Sequence, residues 1–300
     1  MNNLKIKFNH ALGDTAQACA LFNLWQQHGY SIEVESDGNK RMLWKAANIN
    51  IVNEGSKYPF FEYVYPEKFW DPIKNEAASE DDWRLNKIAN AIRHPLLPSI
   101  GEQQEVWDKL VGIRLNYDSI KNLQAEREAE EFLKNMPRPI ICIHSVGSNF
   151  SDKKSLPVGV TFRTILKLLK ETKGSVISLD FDSREPIVGH ARCKGIKPSW
   201  GHIGFDRLCT LYEMADLMIG VDSGPFHCTN FTNVKALGVF IKIQPTRCCI
   251  PNPNARYLVS SNLDKYWDSY QEVGTWNFDR YSGDMPSEDD IVAAALHMIG

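Results

Sequence analysis

No apolar run in this 300-residue chain reaches the ~18–20 residues needed to span a bilayer as a helix, which argues against a membrane-spanning protein. The opening stretch, MNNLKIKFNH, lacks the charged start and apolar core of a secretory signal; its polar–apolar alternation predicts a strand instead. There is no internal repeat and no low-complexity tract, which excludes solenoids and disordered spacers. There is no CxxC pair, and the seven cysteines are odd in number and scattered, some inside strand-like runs such as PIICIH. That pattern suits neither a disulfide framework nor a structural zinc site, and predicts reduced thiols in a cytoplasmic protein. The adjacent Cys248 and Cys249 have no second cysteine pair or histidine pair beside them and read as ordinary residues. A dominant charge is also missing. The net charge is −3; residues 1–135 carry 16 Lys+Arg against 20 Asp+Glu, a net of −4, and the remainder nets +1. A nucleic-acid footprint is normally basic, so the mildly acidic front half does not advertise one.

What is present is ordinary globular material: 43% hydrophobic, 24% charged and 11% aromatic residues. At roughly 100–200 residues per domain, the length predicts two domains. Strand-like and helix-like segments alternate, the signature of parallel sheets wrapped by helices. The first half reads as strand 4–9, helix 13–28, strand 31–35, helix 40–47 and strand 49–52. An aromatic-rich, irregular stretch follows at 54–72. Further helices are predicted over 83–94, 103–111 and 126–135. Met136-Pro137-Arg138-Pro139 punctuates the chain, so the boundary is placed there: one domain over 1–136 and a second over 137–286. The second half restarts with strand 140–144, then helix 161–171, strand 175–180, helix 205–215, strand 217–221, a helix start at 224–232 and strand 239–243. A terminal helix, 287–299, opens with Ser287 and has Asp290 three residues on, close to a capping box.

Three segments carry candidate chemistry. In Asn9-His10-Ala11-Leu12-Gly13-Asp14 a strand ends, a glycine permits a tight turn, and an acid arrives at the mouth of a helix. Ligands in open parallel sheets bind at the carboxyl ends of strands, so Asp14 suits a general base beside His10 and Gly13; equally, an Asp there can simply cap the helix. In Ile219-Gly220-Val221-Asp222-Ser223-Gly224-Pro225-Phe226-His227 a buried strand runs through a glycine turn into a helix. Amides at a helix start favour phosphate, Ser223 adds a hydroxyl, and His227 lies one turn in; an ordinary capped strand–helix turn is the alternative. The segment from His144 to Pro157, with Ser145, Gly147, Ser148 and Lys154, suits a diphosphate clamp or an exposed loop with incidental lysines.

Taken together these segments resemble the ADP-heptose:lipopolysaccharide heptosyltransferases, glycosyltransferase family nine, over most of the chain. Gly13-Asp14 matches that family's opening Gly-Asp. Lys154-Ser155-Leu156-Pro157 is similar to its Lys-x-Trp-Pro element, with Leu156 where Trp is usual. Asp222 to His227 reproduces its Asp-Ser-Gly-Pro-x-His signature in full. The resemblance implies an α/β GT-B fold: two Rossmann-like domains with parallel sheets facing across a cleft, acceptor on the first, nucleotide-sugar on the second, the terminal helix 287–300 crossing back. It implies an inverting, metal-independent transfer with no cofactor, the nucleotide-diphosphate sugar being a substrate. Asp14 would take the acceptor proton. Ser145, Gly147, Ser148, Lys154, Asp222, Ser223, Gly224 and His227 would hold the donor. One of Asp180, Asp182 or Glu185 would hold its ribose. The expected acceptor is a glycan or lipopolysaccharide-type saccharide. A hydroxylated DNA base is an alternative, with Lys5, Lys7, Lys40, Arg41 and Lys45 as its basic groove. A third reading is a nucleotide-sugar-binding protein or epimerase without transferase activity.

Overall fold

The structure is a computed structural model. It describes residues 2–8, 12–27, 30–36, 38–53, 61–62, 117–119, 121–147, 154–179, 189–196, 204–241, 245, 249, 252–261 and 285–300. The expected helices at 83–94 and 103–111 lie outside these residues, as does most of the aromatic stretch. The chain divides into two compact units, residues 1–120 with 246–253 and residues 121–245 with 254–300.

In the first unit four strands form an all-parallel sheet: β1 (Asn2–Lys7), β2 (Tyr30–Glu35), β3 (Asn50–Val52) and β4 (Phe61–Glu62), in the order β3-β2-β1-β4. Helices α1 (Leu12–Gln27) and α2 (Arg41–Ala46) connect the first three. The alternation KIKF and IEVE dictates the layering, because successive strand side chains point to opposite faces. Ile6, Phe8, Ile32 and Val34 are buried with Phe22, Leu43 and Trp44 from the helices. Phe22 stacks on Trp44 at 5.4 Å, and Phe8 meets the same indole edge-on at 5.3 Å. The opposite face carries a charge ladder: Lys5 lies opposite Glu33 and Lys7 opposite Glu35, with Lys7 Nζ 3.7 Å from Glu35 Oε1. β4 emerges within the aromatic stretch, where crowded rings hide a two-residue strand from any periodicity argument.

The second unit is built on six parallel strands in the order β10-β9-β8-β5-β6-β7. They are β5 (Ile140–His144), β6 (Ser175–Ser178), β7 (Cys193–Gly195), β8 (Leu217–Gly220), β9 (Lys235–Phe240) and β10 (Ala255–Val259). Every residue of β5, β6 and β8 is buried, as expected of central parallel strands covered on both faces. Its helices are α3 (Leu123–Leu133), α4 (Val158–Thr172), α5 (Phe205–Met214), α6 (Gly224–His227) and α7 (Glu288–Ile299). β7 and β10 escaped the sequence reading because short strands at sheet edges carry little periodic signal. β9 begins at Lys235, earlier than the predicted 239–243.

Two helices cover one face of the sheet. Ile165, Leu168 and Leu169 of α4 pack with Ile291, Val292 and Ala295 of α7 on Ile141, Ile143, Leu217, Ile219, Leu237 and Val239. The predicted capping box is present: Ser287 Oγ accepts from Asp290 N, and Asp290 Oδ2 accepts from Ser287 N. Arg163 and Lys167 of α4 close the α7 seam onto Glu288 and Asp289. The Arg163 hydrogen bond, then Glu288's own amide at the helix start, pull the Glu288 carboxyl down to about 2. Being exposed, these pairs set the seam's register more than its stability.

On the other face Phe226 of α6 lies over Gly220 and Gly238, meeting Phe240 at 5.6 Å and Tyr257 at 6.2 Å. A Cβ on Gly238 would come within 2.5 Å of Phe240, 2.8 Å of Phe226 and 2.8 Å of Tyr257. All three are ring atoms with nowhere to retreat. Gly238→Ala is therefore expected to destabilise the second unit by about 1–3 kcal/mol, the usual cost of overpacking, as a lower urea midpoint; an unchanged midpoint would show that the rings have slack.

Candidate functional site

The carboxyl ends of β5 and β8 lie side by side, His144 opposite Gly220, and the loops leaving them form one cluster. Val221 N donates to His144 O at 3.2 Å. The loop after β5 is drawn back on itself by two bonds: Leu156 N donates to Ser145 O at 2.9 Å, and Gly147 N donates to Ser155 Oγ at 3.0 Å. Leu156, in the usual Trp position of the family resemblance, is buried in the core cluster and anchors the loop's far end. A Cβ on Gly147 would sit 3.1 Å from Lys154 Cβ and 3.5 Å from Asp222 O, so a residue without a side chain is what lets the two loops close.

Lys154 is thereby delivered to the turn after β8. Its Nζ lies 2.5 Å from Asp222 Oδ2, and the other carboxylate oxygen, Oδ1, is 3.0 Å from His227 Nε2. Burial would raise the Asp222 carboxyl. The Lys154 ammonium and the His227 hydrogen bond outweigh it and hold the group well below the usual carboxylate range. An ionised carboxylate only accepts, so His227 Nε2 carries the hydrogen and donates it.

The turn itself is fixed from several sides. Ser223 caps α6, its Oγ accepting from Phe226 N at 3.4 Å, and His227 N donates to Ser223 O at 3.1 Å. Tyr212 of α5, fully buried, donates its hydroxyl to Pro225 O at 3.0 Å. The helix predicted over 224–232 is one α turn followed by a 3-10 turn at Cys228–Phe231. Thr229 and Thr232 hydroxyls bond back to Phe226 O and Thr229 O, three residues earlier, and such local bonds compete with continued helix. So short a helix carries little macrodipole, and among the described residues the cation at this site is Lys154.

The structure brings together six of the donor-site candidates: Ser145, Gly147, Lys154, Asp222, Ser223 and His227, with Gly224 opening α6. In the first unit Gly13 and Asp14 are the second and third residues of α1, so Asp14 lies inside the first turn rather than before it. The Asp14 side chain lies outside what is described, as do His10, Ser148, Asp180, Asp182 and Glu185. Three supporting residues escaped the sequence reading. Ser155 lies inside the Lys-x-Trp-Pro-like element with nothing in its own chemistry to mark it, and Tyr212 gives no local signal. Phe226 is announced only indirectly, by the glycines of neighbouring strands. Among the described residues no group of three or more His, Cys, Asp and Glu could hold a metal ion, and no helix is long and apolar enough to cross a membrane. Cys142, Cys209 and Cys228 are buried thiols pushed up by desolvation, which makes them unreactive.

No protein-family model matches the chain, and no curated protein matches it in sequence. Its fold is that of solved sugar-transferase structures. E. coli ADP-heptose LPS heptosyltransferase II aligns with 99% of this chain and 98% of its own length, at a TM-score of 0.56 and 11% identity. A glycosyl transferase family 9 protein from Veillonella parvula aligns over 99% and 97%, at 0.58 and 12%. E. coli heptosyltransferase WaaC with ADP aligns over 90% and 99%, at 0.51 and 12%. The fold class is therefore GT-B, with a Rossmann-like parallel sheet in each unit.

Because Asp222 is ionised more readily folded than unfolded, its contribution is fully present above its ordinary value of 3.8 and is lost as pH falls through the depressed one. Side-chain exposure is 13% for Asp222 and 18% for Lys154, so removing one partner strands a buried charge. Lys154→Met is expected to lower unfolding free energy by about 3 kcal/mol. The gap between wild type and Asp222→Asn should shrink as pH falls below about 4. Urea melts test both, the second from about pH 5 downward; a gap that widens over that acid range would contradict the ionised carboxylate.

Proposed function

We propose that this protein is an inverting, metal-independent glycosyltransferase that moves a sugar from a nucleotide-diphosphate donor to a hydroxyl of a glycan or lipopolysaccharide-type saccharide. The observation that carries the reading is Lys154, fixed on Asp222 at the carboxyl edge of the second unit's sheet, where open α/β sheets bind their ligands. That the chain shares its fold with heptosyltransferases supports the same reading.

The chemistry follows from where charge develops. An acceptor hydroxyl is a weak nucleophile until its proton begins to leave. Asp14, in the first turn of α1, takes that proton as oxygen attacks the anomeric carbon from the face opposite the leaving group. The bond from that carbon to the diphosphate oxygen breaks with its electron pair, and the sugar inverts. The departing diphosphate gains negative charge, which Lys154 and the Ser223 hydroxyl meet. An ammonium has three N–H donors, so its pair with Asp222 is compatible with contacts to phosphate. The first unit takes the acceptor and the second the donor; no divalent ion is required. The acidic balance of residues 1–135, 16 Lys+Arg against 20 Asp+Glu, favours the saccharide over a DNA acceptor.

The wild-type protein is expected to release nucleoside diphosphate from one of a panel of ADP-, UDP-, GDP- and CMP-sugars in the presence of a saccharide acceptor, at a rate indifferent to a chelator. Donor binding without release under any acceptor would reduce the protein to a binder. Asp14→Asn should cut turnover by about 10²–10⁴, the usual worth of a general base, with nucleotide affinity retained in calorimetry. Full activity in that variant would remove Asp14 from the mechanism.

A further inference from the structure

We infer that His227 is a positioning residue that acts on the donor phosphates only through Asp222, by its Nε2 hydrogen bond, and does not itself touch the donor. The inference rests on the nucleotide-sugar reading of the second unit.

Exposure grades along the three side chains: 4% for His227, 13% for Asp222 and 18% for Lys154. The lysine is the outward end of the series and the histidine the inward end. The imidazole is held in place from behind. Its backbone N–H is bonded to Ser223 O, and its ring meets Phe226 at 6.2 Å and 73°. Phe226 in turn is seated over Gly220 and Gly238 between Phe240 and Tyr257. The apolar anchor of α6 thus ends in a polar group aimed at Asp222.

This arrangement explains what the histidine contributes. A carboxylate bonded only to a lysine can turn about its own side-chain torsions, and the lysine, on a flexible four-carbon stem, follows it. Here each carboxylate oxygen has its own partner, Nζ of Lys154 on Oδ2 and Nε2 of His227 on Oδ1. The plane of the carboxylate is therefore set by the rigid partner, and the ammonium has one seat. A cation seated before the diphosphate arrives costs less ordering on binding.

Two substitutions separate this role from direct contact or simple bulk. In His227→Gln the amide nitrogen stands where Nε2 does; in His227→Asn it stands near Nδ1 and falls short of Asp222. Affinity is read by calorimetry with ADP, UDP and GDP, using whichever the wild type binds, against the matching nucleoside. His227→Asn is expected to weaken the diphosphate about tenfold, the worth of a charge-assisted hydrogen bond, and to leave the nucleoside unchanged. His227→Gln should recover most of that loss. In a Lys154→Met background the Asn substitution should add less than about twofold, since both act on one carboxylate. Equal losses for Gln and Asn, or a full tenfold loss without Lys154, would overturn the inference. A wild type that binds no nucleoside diphosphate would sink the nucleotide-sugar reading instead. The coupling of the three side chains is then read from thermal midpoints: shifts of His227→Asn and Lys154→Met that simply add would overturn the inference as well, and non-additive shifts would uphold the coupling with only its use on a diphosphate lost.

Discussion

A carboxylate that is mostly shielded from water must be compensated or it will not stay charged. Asp222 is compensated twice, by an ammonium on one oxygen and an imidazole N–H on the other. Much of the second unit can be understood as what that arrangement requires. Lys154 must come from a different strand's loop, so the loop after β5 has to fold back and pass close to the turn after β8. Gly147, the Ser155 hydroxyl and the buried Leu156 make that possible. His227 must come from the first turn after Asp222, and the Ser223 cap, the Tyr212 hydroxyl and the Phe226 ring hold that turn down.

Both ends of the requirement are met by the parallel sheet. Adjacent parallel strands present their carboxyl ends at the same edge, so residues 68 apart in sequence reach hydrogen-bond distance without any long excursion. The sheet's two faces have separate duties. One is filled by the aliphatic residues of α4 and α7. The other is thinned by Gly220 and Gly238 so that the Phe226 ring can approach the backbone closely. In the first unit the division differs: the β1–β2 ladder buries one face and keeps the other charged, Lys5 and Lys7 against Glu33 and Glu35.

How far the sequence was readable depended on how local each signal was. The apolar runs of β5 and β8, and the Val176-Ile177 pair of β6, stood out. So did α4, with its helical spacing, and the Ser287–Asp290 cap, a three-residue pattern. β4 and β7, two and three residues long, are too short to show a period, and the five residues of the edge strand β10 do not alternate between buried and exposed. The end of α6 was misjudged because threonine hydroxyls, not helix propensity, decide it. At the site, Asp222, Ser223, His227 and Lys154 were nameable from motif and composition. Their mutual geometry was not: nothing in the string says that one carboxylate serves both the lysine and the histidine, or that a tyrosine from α5 braces the turn.

The account of function comes down to where the leaving phosphates sit. Among the described residues, the pinned ammonium of Lys154 is the cation held at the carboxyl edge of β5 and β8, and the short α6 contributes little field of its own. A crystal structure of the protein with bound nucleoside diphosphate tests this most directly. The account predicts a phosphate oxygen about 3 Å from Lys154 Nζ, with the Asp222–His227 bond intact. A diphosphate bound elsewhere on the chain, with Lys154 making no contact to it, would contradict the account.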